Sequence, residues 1–356
     1  MPSGSAPGFA RTPAFTGSMP TTATGSALFP RRWTSLARRG KGRTPMELEF
    51  VKLHGLGNDF VFANDLDESI DLTKDQVAWL CDRHFGIGGD GVILVRPAKA
   101  EGCDAYMHYI NSDGTLAQMC GNGVRCFAKY LVDEGIVEAT GHLVAETLAG
   151  PRSIDYAVDE NGKLVEATVM MGEPILTPAS VPTNLPATAT TGFGVDFVKD
   201  CAVDSPWGPF AFTCVSMGNP HAVTFIEDFS TLPDELFDNP AGKRLETLAL
   251  DKIGAFFESH AAFPEKTNVE FAVVGPDAIA MRVFERGCGE TLACGTGACA
   301  TSVAACLTGR AGCENDVALR GGVLHIRWDD DAKVYMTGTA AEAFRGTVAV
   351  PDQPRR

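Results

Sequence analysis

Apolar and polar residues alternate along "ELEFVKL" (47–53), "YMHYIN" (106–111) and "IAMRVFE" (279–285), and this period of two predicts strands. The period changes after Cys120. Val124, Phe127, Ala128 and Leu131 follow helical spacing, with Gly135 as the stop. A helix of the same length is expected after Cys294, ending at Gly309, so each cysteine stands 15 residues ahead of its stopping glycine. Beyond each helix the pattern returns to strand–turn–strand, in "SIDYAVDENGKLVEATVM" (153–170) and "VLHIRWDDDAKVYMTG" (323–338). The stretch from Thr177 to Gly194, rich in Thr, Pro and Ala, reads as an irregular connection.

These elements recur in one order. "NSDGTLAQMCGNG" (111–123) aligns with "ERGCGETLACGTG" (285–297) at a constant offset of 174 residues, and a Gly-Asn pair precedes each, at Gly57-Asn58 and Gly218-Asn219. The pattern predicts an α+β fold of two homologous, pseudo-symmetric domains, each a strand-rich sheet around a central helix, with the active site in the cleft between them. The expected boundaries are 46–170, completed by 340–356, and 171–339, with 1–45 as a leader.

Composition narrows the function classes. The chain carries a formal charge of −15, which argues against nucleic acid as a partner, because phosphate neutralisation needs basic surface. No apolar run is long enough to cross a membrane. Residues 1–45 hold six arginines, one lysine and no carboxylate; with those seven cations set aside, the remainder carries −22. Such a leader fits either an organelle transit peptide or translation from upstream of Met46. Eleven cysteines without a secretion signal or a CxxC pair argue against a disulfide framework and for a reducing compartment. The expected location is the cytoplasm, or a plastid if the leader is a transit peptide. Cysteine spacing is also poor for structural zinc, and no metal is expected.

Two cysteines call for a chemical explanation. Cys120 and Cys294 each open a glycine turn at a helix start, where free N–H groups at Gly121, Asn122, Gly123 and at Gly295, Thr296, Gly297 can hold an anion. The helix dipole should also make both thiols unusually acidic. "GIGGDG" (86–91) fits a dinucleotide-binding pattern but leads into the strand "VILV", where that fold needs a helix. His221 in "GNPHAVTF" could activate a thiolate for hydrolysis, yet hydrolysis has no need of two equivalent cysteines. Inverting a stereocentre does need two groups, one removing a proton and the other delivering one from the opposite face.

Five ordered stretches, "HGLGNDF" (54–60), "NSDGTLAQMCGNGVRCFA" (111–128), "SMGNPH" (216–221), "TNVEF" (267–271) and "ERGCGETLACGTGA" (285–298), together resemble diaminopimelate epimerase. The likeness runs from about Met46 to Val348. It implies a cofactor-free enzyme, usually a homodimer, that interconverts LL- and meso-2,6-diaminopimelate in lysine and peptidoglycan precursor synthesis. Carried over by motif, it implies Cys120 and Cys294 as the acid/base pair and Gly121-Asn122 and Gly295-Thr296 as donors to the reacting carboxylate. It further implies that Asn58, Asn111, Asn219, Asn268, Glu285 and Arg286 bind the amino and carboxylate groups, Arg286 gripping the distal carboxylate. His221 and Glu285 resemble the family's supporting polar pair near the thiols. Some relatives carry glutamine where this chain has Gly91. Proline racemase-like proteins share "MCG" and "CGTG" but typically place histidine where this chain has Asn122.

Overall fold

The computed structural model describes residues 46–354, so the leader lies outside the described residues. The first half runs β1 (Met46–Gly55), β2 (Asn58–Asn64), α1 (Lys74–Cys81), β3 (Gly91–Arg96), β4 (Ala105–Asn111), α2 (Gly121–Asp133), β5 (His142–Glu146), β6 (Arg152–Val158) and β7 (Leu164–Gly172). The connection holds the short strands β8 (Ala189–Thr190), β9 (Asp196–Phe197) and β10 (Cys201–Val203). The second half runs β11 (Phe210–Ser216), β12 (Pro220–Phe225), α3 (Leu250–Glu258), β13 (Asn268–Val274), β14 (Ile279–Glu285), β15 (Gly289–Glu290), α4 (Gly295–Thr308), β16 (Glu314–Leu319), β17 (Gly322–Trp328) and β18 (Val334–Thr339). The last element is β19 (Ala341–Val350).

Strand pairing repeats between the halves. In the first, β1–β2 is antiparallel, β2–β3 parallel, β3–β4 antiparallel, β4–β5 parallel, and β5–β6 and β6–β7 antiparallel. The second follows the same sequence through β11, β12, β13, β14, β16, β17 and β18. A helix spans every parallel step, as that connection requires. The halves are stitched by antiparallel pairing of β7 with β18 and of β1 with β19.

In each half the strands wrap the helix so fully that little of it meets solvent. Every residue of α2 from Gly121 to Val132 is buried, Arg125 and Lys129 included. Helix α4 is built from small residues and is buried from Gly297 through Ala305. Both belong to one continuous core. Its largest contributors include Phe127, fully buried on α2, where truncation to alanine should cost about 3–5 kcal/mol.

The cysteine expectation needs one correction. Cys306, in the last turn of α4, is joined by a disulfide to Cys313, just before β16. The left-handed cap at Gly309 (φ 76°) turns the chain back, so the two Cα atoms lie 4.9 Å apart, within disulfide reach. The other nine cysteines are free.

Candidate active site

Cys120 and Cys294 are the N-caps of α2 and α4, both in extended backbone conformation, with φ −141° and −116°. The first intrahelical bonds are Val124 N–H to Cys120 O and Ala298 N–H to Cys294 O. The N–H groups of residues 121–123 and 295–297 therefore have no acceptor within their helices. The glycines here serve close approach, since none has positive φ. A Cβ on Gly121 would lie 2.8 Å from Met336 Cε, and one on Gly295 would lie 3.0 Å from Met336 Sδ. One buried methionine of β18 thus floors both helix starts. Asn122 ties them directly, its Nδ2 donating to Ala293 O, next to Cys294, at 3.1 Å.

Around Cys120 two separate turns bring in Asn58 and, behind it, Asp90. Leu56 (φ 56°) and Gly57 (φ 87°) form a two-residue hairpin loop of the type that matches strand twist, and it delivers Asn58. Asn58 Oδ1 accepts from Cys120 Sγ at 3.4 Å and from Asn122 Nδ2 at 3.1 Å. Asn58 Nδ2 donates to Asp90 Oδ2 at 2.6 Å. The "GIGGDG" turn carries Asp90 into place between α1 and β3. Below, Asn122 Oδ1 accepts from the fully buried Arg125 at 2.9 Å. Asn111 ends β4 and donates to Thr115 Oγ1 at 3.1 Å.

Around Cys294, Thr296 Oγ1 lies 3.5 Å from the sulfur. A Cβ on Gly297 would lie 2.8 Å from Glu270 Oε1 and 3.3 Å from Cys294 Sγ, so the Glu270 carboxylate backs onto this helix start. His221 and Glu285, expected as supporting residues near the thiols, bond to different partners. His221 is fully buried, with Nδ1 2.6 Å from Glu270 Oε1 and Nε2 3.1 Å from Asn219 Oδ1. Strands β12 and β13 are parallel neighbours, which sets His221 and Glu270 side by side, whereas Glu285 ends β14 and accepts from the Thr291 hydroxyl. Asn268 opens β13; its Nδ2 donates to Pro220 O and its Oδ1 accepts from Arg286 N–H. Arg286 is exposed and donates to Glu265 O at 3.2 Å.

Burial overturns the expected acidity. It pushes the Cys120 thiol up; the N–H groups of Gly123 and Asn122 and the charge of Arg125 oppose it, while Glu285 adds to it. Cys294 is raised well above the ordinary thiol value, first by burial and then by Glu285 and Glu270; Thr296 and Gly297 N–H oppose. Desolvating an anion outweighs a helix start unless a ligand or counter-charge completes the site. Among the described residues no group of three or more His, Cys, Asp or Glu is placed to hold a metal ion.

The sequence profile described as diaminopimelate epimerase matches residues 50–177 and 213–342, which covers both cysteine sites. The chain belongs to the diaminopimelate epimerase family. Relatives carrying that name include one from Synechocystis, 45% identical over 309 residues that span 86% of this chain and all of the relative. Another, from Desulfitobacterium hafniense, is 44% identical across 85% of this chain and 98% of its own. Among solved structures, a hydroxyproline epimerase from Agrobacterium vitis, with bound trans-4-hydroxy-L-proline, superposes with a TM-score of 0.59 at 18% identity, covering 86% of this chain and 93% of its own. A phenazine biosynthesis protein of the PhzF family from Bacillus anthracis gives 0.58 at 16% identity, covering 85% and 99%. At such identities these two share the fold.

The structure links Asn58, Gly121, Asn122, Gly295 and Thr296 with the two cysteines at the helix starts, and joins Asn219 to His221 and Asn268 to Arg286. Sequence reasoning passed over Asp90, Arg125 and Glu270. Each stands inside a stretch already singled out ("GIGGDG", "CGNGVRC", "TNVEF"), and a charged residue within such a motif was the available signal.

Proposed function

We propose that this enzyme interconverts LL- and meso-2,6-diaminopimelate by passing the α-proton between Cys120 and Cys294. The observation that carries the reading is the pair of thiols at two helix starts joined by Asn122 and floored by Met336. In the proposed complex the reacting carboxylate binds the N–H groups of Gly121-Asn122 and Gly295-Thr296, where both helix dipoles favour negative charge. The α-carbon then lies between the sulfurs. One, as thiolate, removes the proton; the other, as thiol, returns one to the opposite face, while the helix starts stabilise the charge that develops. Asn58, Asn111, Asn219, Asn268, Glu285 and Arg286 bind the remaining amino and carboxylate groups, Arg286 through its guanidinium fork. His221 and Glu285 support the thiols, and no cofactor or metal enters this scheme.

A cysteine–histidine hydrolase is disfavoured because both His221 nitrogens engage Glu270 and Asn219. In this reading 46–170 with 340–356 forms one epimerase domain and 171–339 the other, the enzyme works as a homodimer, and it supplies lysine and peptidoglycan precursors. We place it in the cytoplasm, or in a plastid if residues 1–45 are a transit peptide. The test is to incubate purified protein with LL-diaminopimelate in deuterated water, without added cofactor, and resolve the isomers. Two-thiol transfer puts deuterium early into the meso product while recovered LL-substrate stays unlabelled. Absence of isomerisation rejects the substrate, and early label in the LL pool rejects the two-thiol scheme.

A further inference from the structure

Arg125 is a fully buried arginine of α2, and among the described residues it makes no ion pair. The other buried cation of that helix behaves as expected: Lys129 pairs with Asp133 at 2.8 Å and donates to Leu164 O. Among the described residues the Arg125 guanidinium meets only neutral acceptors. Nη2 donates to Asn122 Oδ1 at 2.9 Å, while Nη1 faces Gly121 O at 3.4 Å and Met336 Sδ at 3.6 Å, and Nε faces Thr339 O at 3.4 Å. Two glycines without positive φ clear its slot. A Cβ on Gly55 would lie 3.1 Å from Nη2, and one on Gly338 would lie 3.2 Å from Nε.

A buried charge without a counter-charge lowers stability, and an apolar residue of similar volume is often the more stable choice. The fold nevertheless encloses this one, one turn into the helix that Cys120 caps. Its titratable neighbours are thiols. Burial pulls the guanidinium pKa down, and the groups opposing that are Cys126 on the same helix, Cys120 at its start and Cys299 on α4. Through Asn122 the guanidinium reaches both halves: Oδ1 is held by Arg125, so Nδ2 is left to bond Asn58 Oδ1 and Ala293 O. Reversing that amide would set Nδ2 against the guanidinium and break all three bonds.

We propose that Arg125 is a positioning residue that locks Asn122 across the two helix starts and supplies, from beneath them, the fixed positive charge complementary to an anion bound there. The inference rests on the two-thiol reading for its link to turnover, but its effect on Cys120 is measurable without substrate. The guanidinium charge favours the Cys120 thiolate against burial and the Glu285 charge. Cys294 has Glu270 and Glu285 as its charged neighbours instead.

The test compares the full-length chain with its Arg125→Met, Arg125→Gln and Arg125→Lys variants. Thermal melting, kcat and KM are measured, together with iodoacetamide labelling of Cys120 and Cys294 against pH, read by peptide mass spectrometry. In Arg125→Met and Arg125→Gln we expect a melting temperature close to wild type, a kcat about 10- to 100-fold lower, and a labelling midpoint for Cys120 displaced upward while that of Cys294 moves less. Arg125→Lys restores part of the Cys120 midpoint. A folded neutral variant with wild-type kcat and an unmoved Cys120 midpoint overturns the proposal. So does failure of both neutral variants to fold while Arg125→Lys folds, which makes Arg125 a purely structural cation. If wild-type protein shows the labelling behaviour but does not isomerise diaminopimelate, the substrate reading falls and the role of Arg125 at Cys120 stands.

Discussion

Beneath Cys120 lies a buried guanidinium, whereas behind Cys294 lies a buried carboxylate paired with histidine. The two thiols occupy equivalent places in a repeated fold, so the difference is local. The 174-residue offset that superposes the cysteines sets Arg125 against Cys299. The residue two beyond the hairpin asparagine is Phe60 in one half and His221 in the other, and the third residue of the next strand is Ile93 in one and Glu270 in the other. All four are fully buried, and each strand residue abuts the corresponding helix glycine: Ile93 Cδ1 is 3.4 Å from a Cβ on Gly123, and Glu270 Oε1 is 2.8 Å from one on Gly297. Duplication thus provides two matching thiols, and three substitutions divide them. Burial raises both thiols; at Cys120 the Arg125 charge opposes that rise, whereas at Cys294 the Glu285 and Glu270 carboxylates add to it. Proton transfer in one direction begins with such a division, one group ready to accept and the other to give.

The comparison is tested most severely by removing either thiol. Cys120→Ala and Cys294→Ala should each lower kcat by about 1,000-fold or more while leaving circular dichroism and melting intact; substantial turnover by either variant means that one thiol suffices. Arg286→Lys should come next, raising KM by about 10- to 100-fold with a smaller change in kcat, because an ammonium cannot reproduce the guanidinium fork. Unchanged KM would remove Arg286 from the distal carboxylate.

Smaller effects sharpen the asymmetry itself. Both thiols are raised, so each should label with iodoacetamide only at pH above the ordinary thiol range, Cys294 at higher pH than Cys120. Glu270→Gln removes a negative neighbour of Cys294 and should lower its labelling midpoint by about one pH unit, leaving Cys120 in place. Equal movement of both midpoints would show that Glu270 acts on the cleft as a whole. The helix ends differ least. Gly309 caps α4 in the left-handed region with nothing near a would-be Cβ, so Gly309→Ala should cost about 1 kcal/mol in denaturant unfolding. Glu134 caps α2 with right-handed backbone, and Glu134→Ala should cost less.

Much of this was legible in the chain. Period-two and helical spacing located β1, β4, β6, β7, β14, β17, β18, α2 and α4, and the stopping glycines fell where the helices end, because those signals depend on neighbours within a few residues. The two cysteine–glycine turns were legible for the same reason, and they open α2 and α4. Tertiary structure decided what surrounds them. Arg125 stands among polar positions of a helix that the pattern would turn to solvent, and only the wrapping sheet buries it. Glu270 and His221 lie on strands 49 residues apart in the chain, Asp90 and Asn58 32 apart, and Asn122 and Ala293 171 apart. No local pattern encodes such encounters. The acidity of the thiols went the same way: the helix start visible in the sequence favours thiolate, but desolvation is set by everything packed around the sulfur, and in the folded protein it prevails.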